Sequence, residues 1–172
     1  MGNRLSAGHT ESRKKERMVY SMNWTEKEKL LFKDLKTSER TSIEKYGDFE
    51  GRACDPELKQ LFGRIRQQEE EHLQTLEQME GGVIPMMAGG GQQSGQGQSD
   101  KCGTAEPHDY GADAHLCADA LESEKYISSL YDTAVFEFKD ASARDVLNHI
   151  QKEEQGHGKQ LYDYMAAHQI YC

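Results

Sequence analysis

The chain has 172 residues, 35% hydrophobic and 30% charged, with only three prolines, a composition that favours amphipathic helices over strands. Its length predicts one core with tails, because independent domains usually have about 100–150 residues. The formal charge of −9 argues against nucleic acid as a partner, and no apolar run approaches the ~20 residues of a membrane span.

The start of the chain and its cysteines both predict synthesis in the cytoplasm. The basic cluster at residues 13–17 is not followed by an apolar stretch, as it would be in a secretory signal. The four cysteines are scattered, without a C-x-x-C pair or a dense disulfide framework. We therefore expect free thiols in a reducing compartment, with surface cross-linking left open.

The first ordered element predicted is a helix that follows a disordered polar tail at residues 1–22. Thr25 and Glu28 have the spacing of a capping box, which marks a helix start. Apolar residues then recur at helical spacing over residues 30–46, until glycines from Gly47 onwards weaken the pattern.

A second helix is predicted to begin at Asp55 and Pro56, which make an N-cap and first-turn pair, and to end at two glycines. Residues 23–81 should therefore form an antiparallel helical hairpin. The stretch 82–112 is rich in Gly, Gln and Ser, a composition typical of a flexible linker.

Two further apolar stripes with a short joint predict a second antiparallel hairpin over residues 113–172. The linker is long enough to run back along a helix, since extended chain covers about 3.3 Å per residue. One long crossover between two hairpins is the connectivity of ferritin-like bundles. The predicted fold is therefore all-α, a ferritin-like four-helix bundle in which residues 23–81 and 113–172 form one bundle.

The two halves are related by an internal repeat, which aligns them without a gap after a shift of 85 residues. The shift pairs Glu39 with Glu124, Tyr46 with Tyr131, Glu69 with Glu154 and His72 with His157. Repeats ordinarily preserve apolar core positions, whereas here polar residues on the apolar face are matched as well. Buried carboxylates are costly without partners, so the match indicates a compensating ligand.

Two divalent cations fit this set, because they balance the charge of four ionised glutamates. In each half a Glu-x-x-His motif places a carboxylate and an imidazole one turn apart, and a lone Glu lies 30 residues before the motif. This is the pattern of di-iron and di-manganese bundle proteins, and it leaves iron and manganese as alternatives. The predicted metal ligands are Glu39, Glu69, His72, Glu124, Glu154 and His157.

Two other interpretations of these residues remain open. They could form a solvated charged face with two core histidines, or a former site that has lost its metal. In a site without metal, repulsion among the clustered carboxylates is expected to raise their pKa values.

Tyr46 and Tyr131 lie seven residues after Glu39 and Glu124, two turns along the same faces. A phenol at that distance is placed to hydrogen-bond a ligand carboxylate and so to support catalysis from outside the ligand set. The alternative is an ordinary tyrosine of an amphipathic core.

Several short blocks occur in order in the second half: Leu121-Glu122-Ser123-Glu124-Lys125-Tyr126, Ser129-Leu130-Tyr131, Leu147-Asn148-His149-Ile150, Glu153-Glu154-Gln155-Gly156-His157 and Tyr162-Asp163-Tyr164-Met165. With these blocks, residues 113–171 resemble the spore coat protein F family. The resemblance implies a spore-forming bacterium and a place in or under the spore coat. It also implies other coat proteins, or further copies of the chain, as partners.

Glu39 and the Glu69-x-x-His72 motif give the first half a resemblance to the rubrerythrin and ferritin superfamily. Rubrerythrins reduce peroxide, ferritins oxidise ferrous iron and manganese catalases disproportionate peroxide, so the resemblance implies an oxidoreductase that handles peroxide or ferrous iron. The chain departs from rubrerythrin because it has no C-x-x-C rubredoxin centre, and Ile127 stands where a further Glu would be.

The sequence thus leads to two hypotheses. In the first, the chain is a ferritin-like spore coat protein whose two metal ions handle peroxide or ferrous iron, since carboxylate and imidazole ligands suit both metals. In the second, it is a structural coat component in which the bundle is an assembly module and the metal is structural or lost.

Overall fold

The computed structural model describes residues 22–85 and 110–170, and within these ranges all regular structure is helical. The four helices are α1 (Glu26–Arg52), α2 (Pro56–Glu80), α3 (Tyr110–Glu137) and α4 (Ala141–Ala167). The all-α prediction is confirmed for this part of the chain, in which no helix is both long and apolar enough to cross a membrane. The tail and linker predictions for residues 1–21 and 86–109 lie outside the described residues.

The helices pair as two hairpins, α1 with α2 and α3 with α4, and the hairpins meet through α1 on α3 and α2 on α4. The two hairpins were predicted and are confirmed. At one end of the bundle, the indole of Trp24 donates a hydrogen bond to the carbonyl of Glu80, the last residue of α2. At the other end, Asp113 near the start of α3 contacts Cys54. The connection from α2 to α3 therefore joins opposite ends of the bundle.

Helix ends follow the capping signals in the sequence. Thr25 and Glu28 form the predicted capping box, in which each side chain accepts the other residue's backbone N–H. Asp55 is the N-cap of α2, and its carboxylate accepts a first-turn N–H at 2.8 Å. After α2, Gly82 adopts a φ of 86°, in the left-handed region that favours glycine. These predictions are confirmed.

Two helix bounds differ from the sequence prediction. α1 continues through Gly47 to Arg52, because Phe49 packs on Phe62 with ring centroids 5.5 Å apart, which outweighs a cost of about 1 kcal/mol per glycine. α3 begins at Tyr110, inside the stretch assigned to the linker.

The cysteines were predicted to be free thiols. Cys54 and Cys117 are free in the structure, the first exposed and the second buried. The other two, Cys102 and Cys172, lie outside the described residues.

The core consists of two apolar clusters, one towards each end of the bundle. Phe49, Phe62 and Leu161 belong to the first cluster, while Phe32 and Leu147 belong to the second. In each helix the buried residues between the two clusters are polar. The fold therefore encloses a polar layer between two apolar ends.

Two carboxylates fasten the loop of each hairpin to the other hairpin. Glu28 of α1 accepts a hydrogen bond from the backbone N–H of Lys139, in the α3–α4 loop, at 2.9 Å. Asp113 of α3 accepts from the N–H groups of Cys54 and Asp55, in the α1–α2 loop, at 2.8 and 2.9 Å. Glu28 and Asp113 are related by the 85-residue shift, as are Cys54 and Lys139. The repeat therefore extends to the contacts that join the hairpins.

Replacing Glu28 with Gln is expected to lower the free energy of unfolding at neutral pH by about 1–3 kcal/mol, because buried N–H groups lose a charged acceptor. Burial opposes ionisation of Glu28, but hydrogen bonds from the N–H groups of Lys139 and Thr25 outweigh it and hold its pKa below the ordinary value. A lowered pKa contributes stability that is present above the unfolded pKa and lost as the pH falls through the folded pKa.

Urea unfolding should therefore show that the parent and Glu28→Gln differ less in free energy of unfolding at about pH 3 than at neutral pH. The control is Glu44→Gln at an exposed position of the same helix, which should change stability by no more than about 0.5 kcal/mol. An equal difference in free energy of unfolding at both pH values would contradict a stabilising role of the ionised Glu28 carboxylate.

Candidate metal centre

The structure brings all six predicted metal ligands together in the polar layer at the middle of the bundle. Each of the six side chains belongs to a residue that is at most 3% exposed. The contributors are Glu39 from α1, Glu69 and His72 from α2, Glu124 from α3, and Glu154 and His157 from α4. Every helix of the bundle therefore supplies at least one side chain to the layer.

The six side chains form two overlapping groups of four. The first group is Glu39, Glu69, His72 and Glu154, and the second is Glu69, Glu124, Glu154 and His157. Within each group, one ligand atom of every residue lies within 4.8 Å of the others. Glu69 and Glu154 belong to both groups, and the 85-residue shift exchanges the groups. The layer thus contains two repeat-related groups of side chains that share two carboxylates.

Several buried polar atoms of the layer make no well-aligned hydrogen bond among the described residues, although some of them lie 2.9–3.6 Å from an atom of a neighbouring imidazole or carboxylate. They are one oxygen each of Glu39, Glu69 and Glu124, both carboxylate oxygens of Glu154 and both ring nitrogens of His157. A buried polar atom left unpaired costs about 1–3 kcal/mol. Converging carboxylate and imidazole groups with such unsatisfied atoms suit iron or manganese, so the residues present fit a pair of such ions.

The carboxylates of the layer fall into two electrostatic classes. Burial raises the pKa of Glu39 well above its ordinary value, with help from neighbouring carboxylates, and raises that of Glu124 to about 8. Burial also acts on Glu69 and Glu154, but close contacts with the two histidines outweigh it and lower both pKa values. The expectation that crowding raises the pKa of every carboxylate is therefore wrong for Glu69 and Glu154.

The pKa values of the two imidazoles are raised, whereas those of Glu69 and Glu154 are lowered. Burial would lower the pKa of His72 and His157, but the surrounding carboxylates outweigh it and raise both values well above the ordinary one. Protonated imidazoles therefore balance the two ionised carboxylates, Glu69 and Glu154, when no metal is bound.

Each predicted tyrosine donates its phenolic O–H to a carboxylate of the opposite half, Tyr46 to Glu124 and Tyr131 to Glu39. Both tyrosines are fully buried. The contacts cross between hairpins because α1 and α3 run antiparallel, which brings the residue two turns after one glutamate level with the other glutamate. Such a hydrogen bond fixes the orientation of a carboxylate.

Glu153 is a functional candidate that the sequence analysis missed. Its Oε2 lies 3.2 Å from Nε2 of His72 and 3.5 Å from Nε2 of His149. With Nε2 so occupied, Nδ1 of His72 faces the layer, 3.1 Å from Glu69 and 2.9 Å from Glu154. Nothing in the sequence separates Glu153 from the surrounding glutamates, because its role depends on the packing of α4 against α2.

A cavity of about 160 Å³ lies between α2 and α4, beside this contact. Its lining includes Glu71, His72, His149 and Glu153. The approach to the His72 side of the layer is therefore polar and acidic.

Comparison with known proteins places the second hairpin in context. Residues 112–171 match the family model of the Coat F domain, which confirms the resemblance found for the second half. The match spans nearly all of α3 and α4 and includes Glu124, Glu154 and His157. No curated protein and no solved structure matched the chain.

Glu124→Gln and Glu69→Gln are expected to differ sharply in the stability of the metal-free protein. Burial raises the pKa of Glu124 to about 8, so its carboxyl is mostly protonated at neutral pH. Glu124→Gln then replaces a neutral group by an amide of similar shape, and the free energy of unfolding should change by less than about 0.5 kcal/mol. Glu69 has a lowered pKa and is an anion next to protonated imidazoles, so its loss should cost about 3–5 kcal/mol.

Urea unfolding at neutral pH in the presence of a chelator measures both changes. Circular dichroism should first show that each variant keeps its helices. Equal destabilisation by the two substitutions would mean that the carboxylates are not divided into two classes.

Proposed function

We propose that the chain is a ferritin-like metalloprotein of the spore coat, whose buried layer binds two iron or manganese ions and handles peroxide or ferrous iron by redox chemistry. The observation that carries this proposal is the pair of overlapping four-residue groups, buried and with unpaired ligand atoms. Two hairpins joined between opposite ends of the bundle are the connectivity expected of a ferritin-like fold. The Coat F match of residues 112–171 supports the coat location and coat partners.

Each ion would be held by one outer Glu and one His, with Glu69 and Glu154 shared between the two ions. The outer pairs would be Glu39 with His72 and Glu124 with His157. Four carboxylates would neutralise two divalent ions, so that a dry layer would carry no net charge. Bound iron or manganese would supply the one-electron redox chemistry that peroxide reduction or ferrous iron oxidation needs.

The surrounding residues of the chain prepare this layer for metal. Tyr46 and Tyr131 hold the outer carboxylates, and Glu153 accepts the hydrogen bond that leaves Nδ1 of His72 facing inward. The apolar clusters at the two ends of the layer lower the local dielectric constant, which strengthens interactions between charges inside. Because carboxyl and imidazolium groups must lose protons before they bind a cation, metal affinity should fall as the pH is lowered.

Elemental analysis of protein reconstituted with Fe²⁺ or Mn²⁺ tests the proposal directly, and about two ions per chain are expected, as in two-metal sites. Glu69→Gln removes a shared carboxylate and should lower both the metal content and the consumption of peroxide or ferrous iron by about tenfold or more. Glu70→Gln, at the adjacent exposed residue of α2, is the matched control and should leave both unchanged. A parent chain that binds no metal after reconstitution would refute the proposal.

A structural coat role is the second candidate function, and exposed aromatic side chains favour it. Phe136 is 82% exposed and Tyr126 is 62% exposed, both on α3 within the Coat F match. Aromatic residues at the surface are common contact points between proteins. In this hypothesis the bundle presents these side chains to other coat proteins or to further copies of the chain.

If α3 is an assembly surface, Phe136→Ser should raise the dissociation constant of self-association about tenfold. Sedimentation velocity over a range of protein concentrations measures this, with metal content as a check that the layer is intact. Thr133→Ser, one turn earlier and also exposed, is the control. A parent chain that stays monomeric at all concentrations would argue against self-assembly.

A further inference from the structure

The two halves of the bundle differ beside the polar layer, although the repeat matches their predicted ligands. A groove of about 410 Å³ lies between α3 and α4. The residues that line it include Glu124 and Glu154, which are buried members of the layer, and Leu121, Ser128 and Gly158. The groove therefore extends from the surface to two residues of the layer, and carboxylate oxygens of both residues lie buried behind its inner wall.

Two small residues keep this groove open. A Cβ added at Gly158 would lie 3.4 Å from Cδ1 of Leu121 and 4.0 Å from Cβ of Glu124, so the bare backbone of α4 faces the ligand-bearing turn of α3. Ser128 occupies the next turn of α3 along the groove. A glycine inside a helix costs about 1 kcal/mol relative to alanine, so the helix itself gains nothing from Gly158.

The first half has larger side chains at the corresponding positions. The 85-residue shift pairs Gly158 with Leu73 and Ser128 with Ile43. Leu73 and Ile43 are both half-buried. Aliphatic side chains thus stand in the first half where the second half has a hydrogen atom and a hydroxymethyl group.

We propose that the groove at Gly158 and Ser128 is the route by which a small neutral oxidant, of the size of hydrogen peroxide or dioxygen, reaches the Glu124 side of the layer. This inference rests on the proposed function. The groove is much larger than the roughly 30 Å³ that one water molecule occupies in the liquid. Glu124 and Glu154 are buried, so Lys125 is the exposed charged residue of its lining, which disfavours a cation.

The acidic cavity beside His72 offers a chemically different approach. Glu71, Glu153 and two histidines line it, which suits cations rather than a neutral oxidant. The two sides of the layer are therefore open to different classes of molecule, although the ligands themselves follow the repeat.

The test measures how fast a neutral diatomic molecule reaches iron in the layer. Nitric oxide is mixed with the anaerobic, Fe²⁺-loaded protein, and its binding is followed by stopped-flow absorbance. Gly158→Leu and Ser128→Ile introduce into the groove the residue types that the first half has at the corresponding positions, Leu73 and Ile43. Both should keep the parent iron content and slow nitric oxide association by about tenfold, which corresponds to an added barrier of about 1.4 kcal/mol.

Two controls separate occlusion from a general change in α4. Gly156→Leu introduces the same side chain two residues earlier, where an added Cβ would meet nothing within 4 Å. Gly158→Ala adds only the Cβ that the groove accommodates. Both controls should bind nitric oxide at the parent rate. If Gly158→Leu loses its helical circular dichroism, Ser128→Ile alone decides the test.

The outcomes distinguish this inference from the proposed function. Full iron content with parent rates in both groove variants would overturn the inference and leave the metal centre intact. A parent chain that takes up no iron would overturn the proposed function and this inference with it.

Discussion

The structure depends on one constraint, the burial of four carboxylates and two imidazoles in a single layer between apolar clusters. Each of these residues is at most 3% exposed, so bulk water cannot solvate the charges and the protein itself must supply most of their partners. The histidines lie between Glu69 and Glu154, while the tyrosines hold the two outer carboxylates. Several ligand atoms of these groups still lack a well-aligned hydrogen bond and converge within 4.8 Å of one another, which is the strongest argument for a cation at the centre.

The internal repeat explains why the bundle holds together as one unit. Each half supplies the same set of functional side chains, yet its tyrosine, its loop-binding carboxylate and its shared glutamate all contact the other half. Each half therefore depends on the other for some partners of its buried polar groups. The Coat F match covers Glu124, Glu154 and His157. The first hairpin supplies the other three buried side chains of the layer, Glu39, Glu69 and His72.

Departures from the repeat give the two sides of the layer different surroundings. Glu153 corresponds to Gln68, so His72 has a charged partner at Nε2 while Nε2 of His157 has none among the described residues. Gly158 corresponds to Leu73, which opens a groove on the side of α3 and α4. The layer is therefore symmetric in its six buried side chains and asymmetric in the cavities beside it.

The sequence by itself determined the helical hairpins, their caps and the six candidate ligands, because periodicity, capping and an internal repeat are patterns along the chain. Only the tertiary structure decided which residues of different helices lie at the same level. That is why the cross-hairpin partner of Tyr46, the second role of Glu28 and the contact of Glu153 with His72 could not be read from the sequence. The division of the carboxylates into raised and lowered pKa values has the same origin, since a buried charge responds to neighbours within a few ångströms, whatever their separation in sequence.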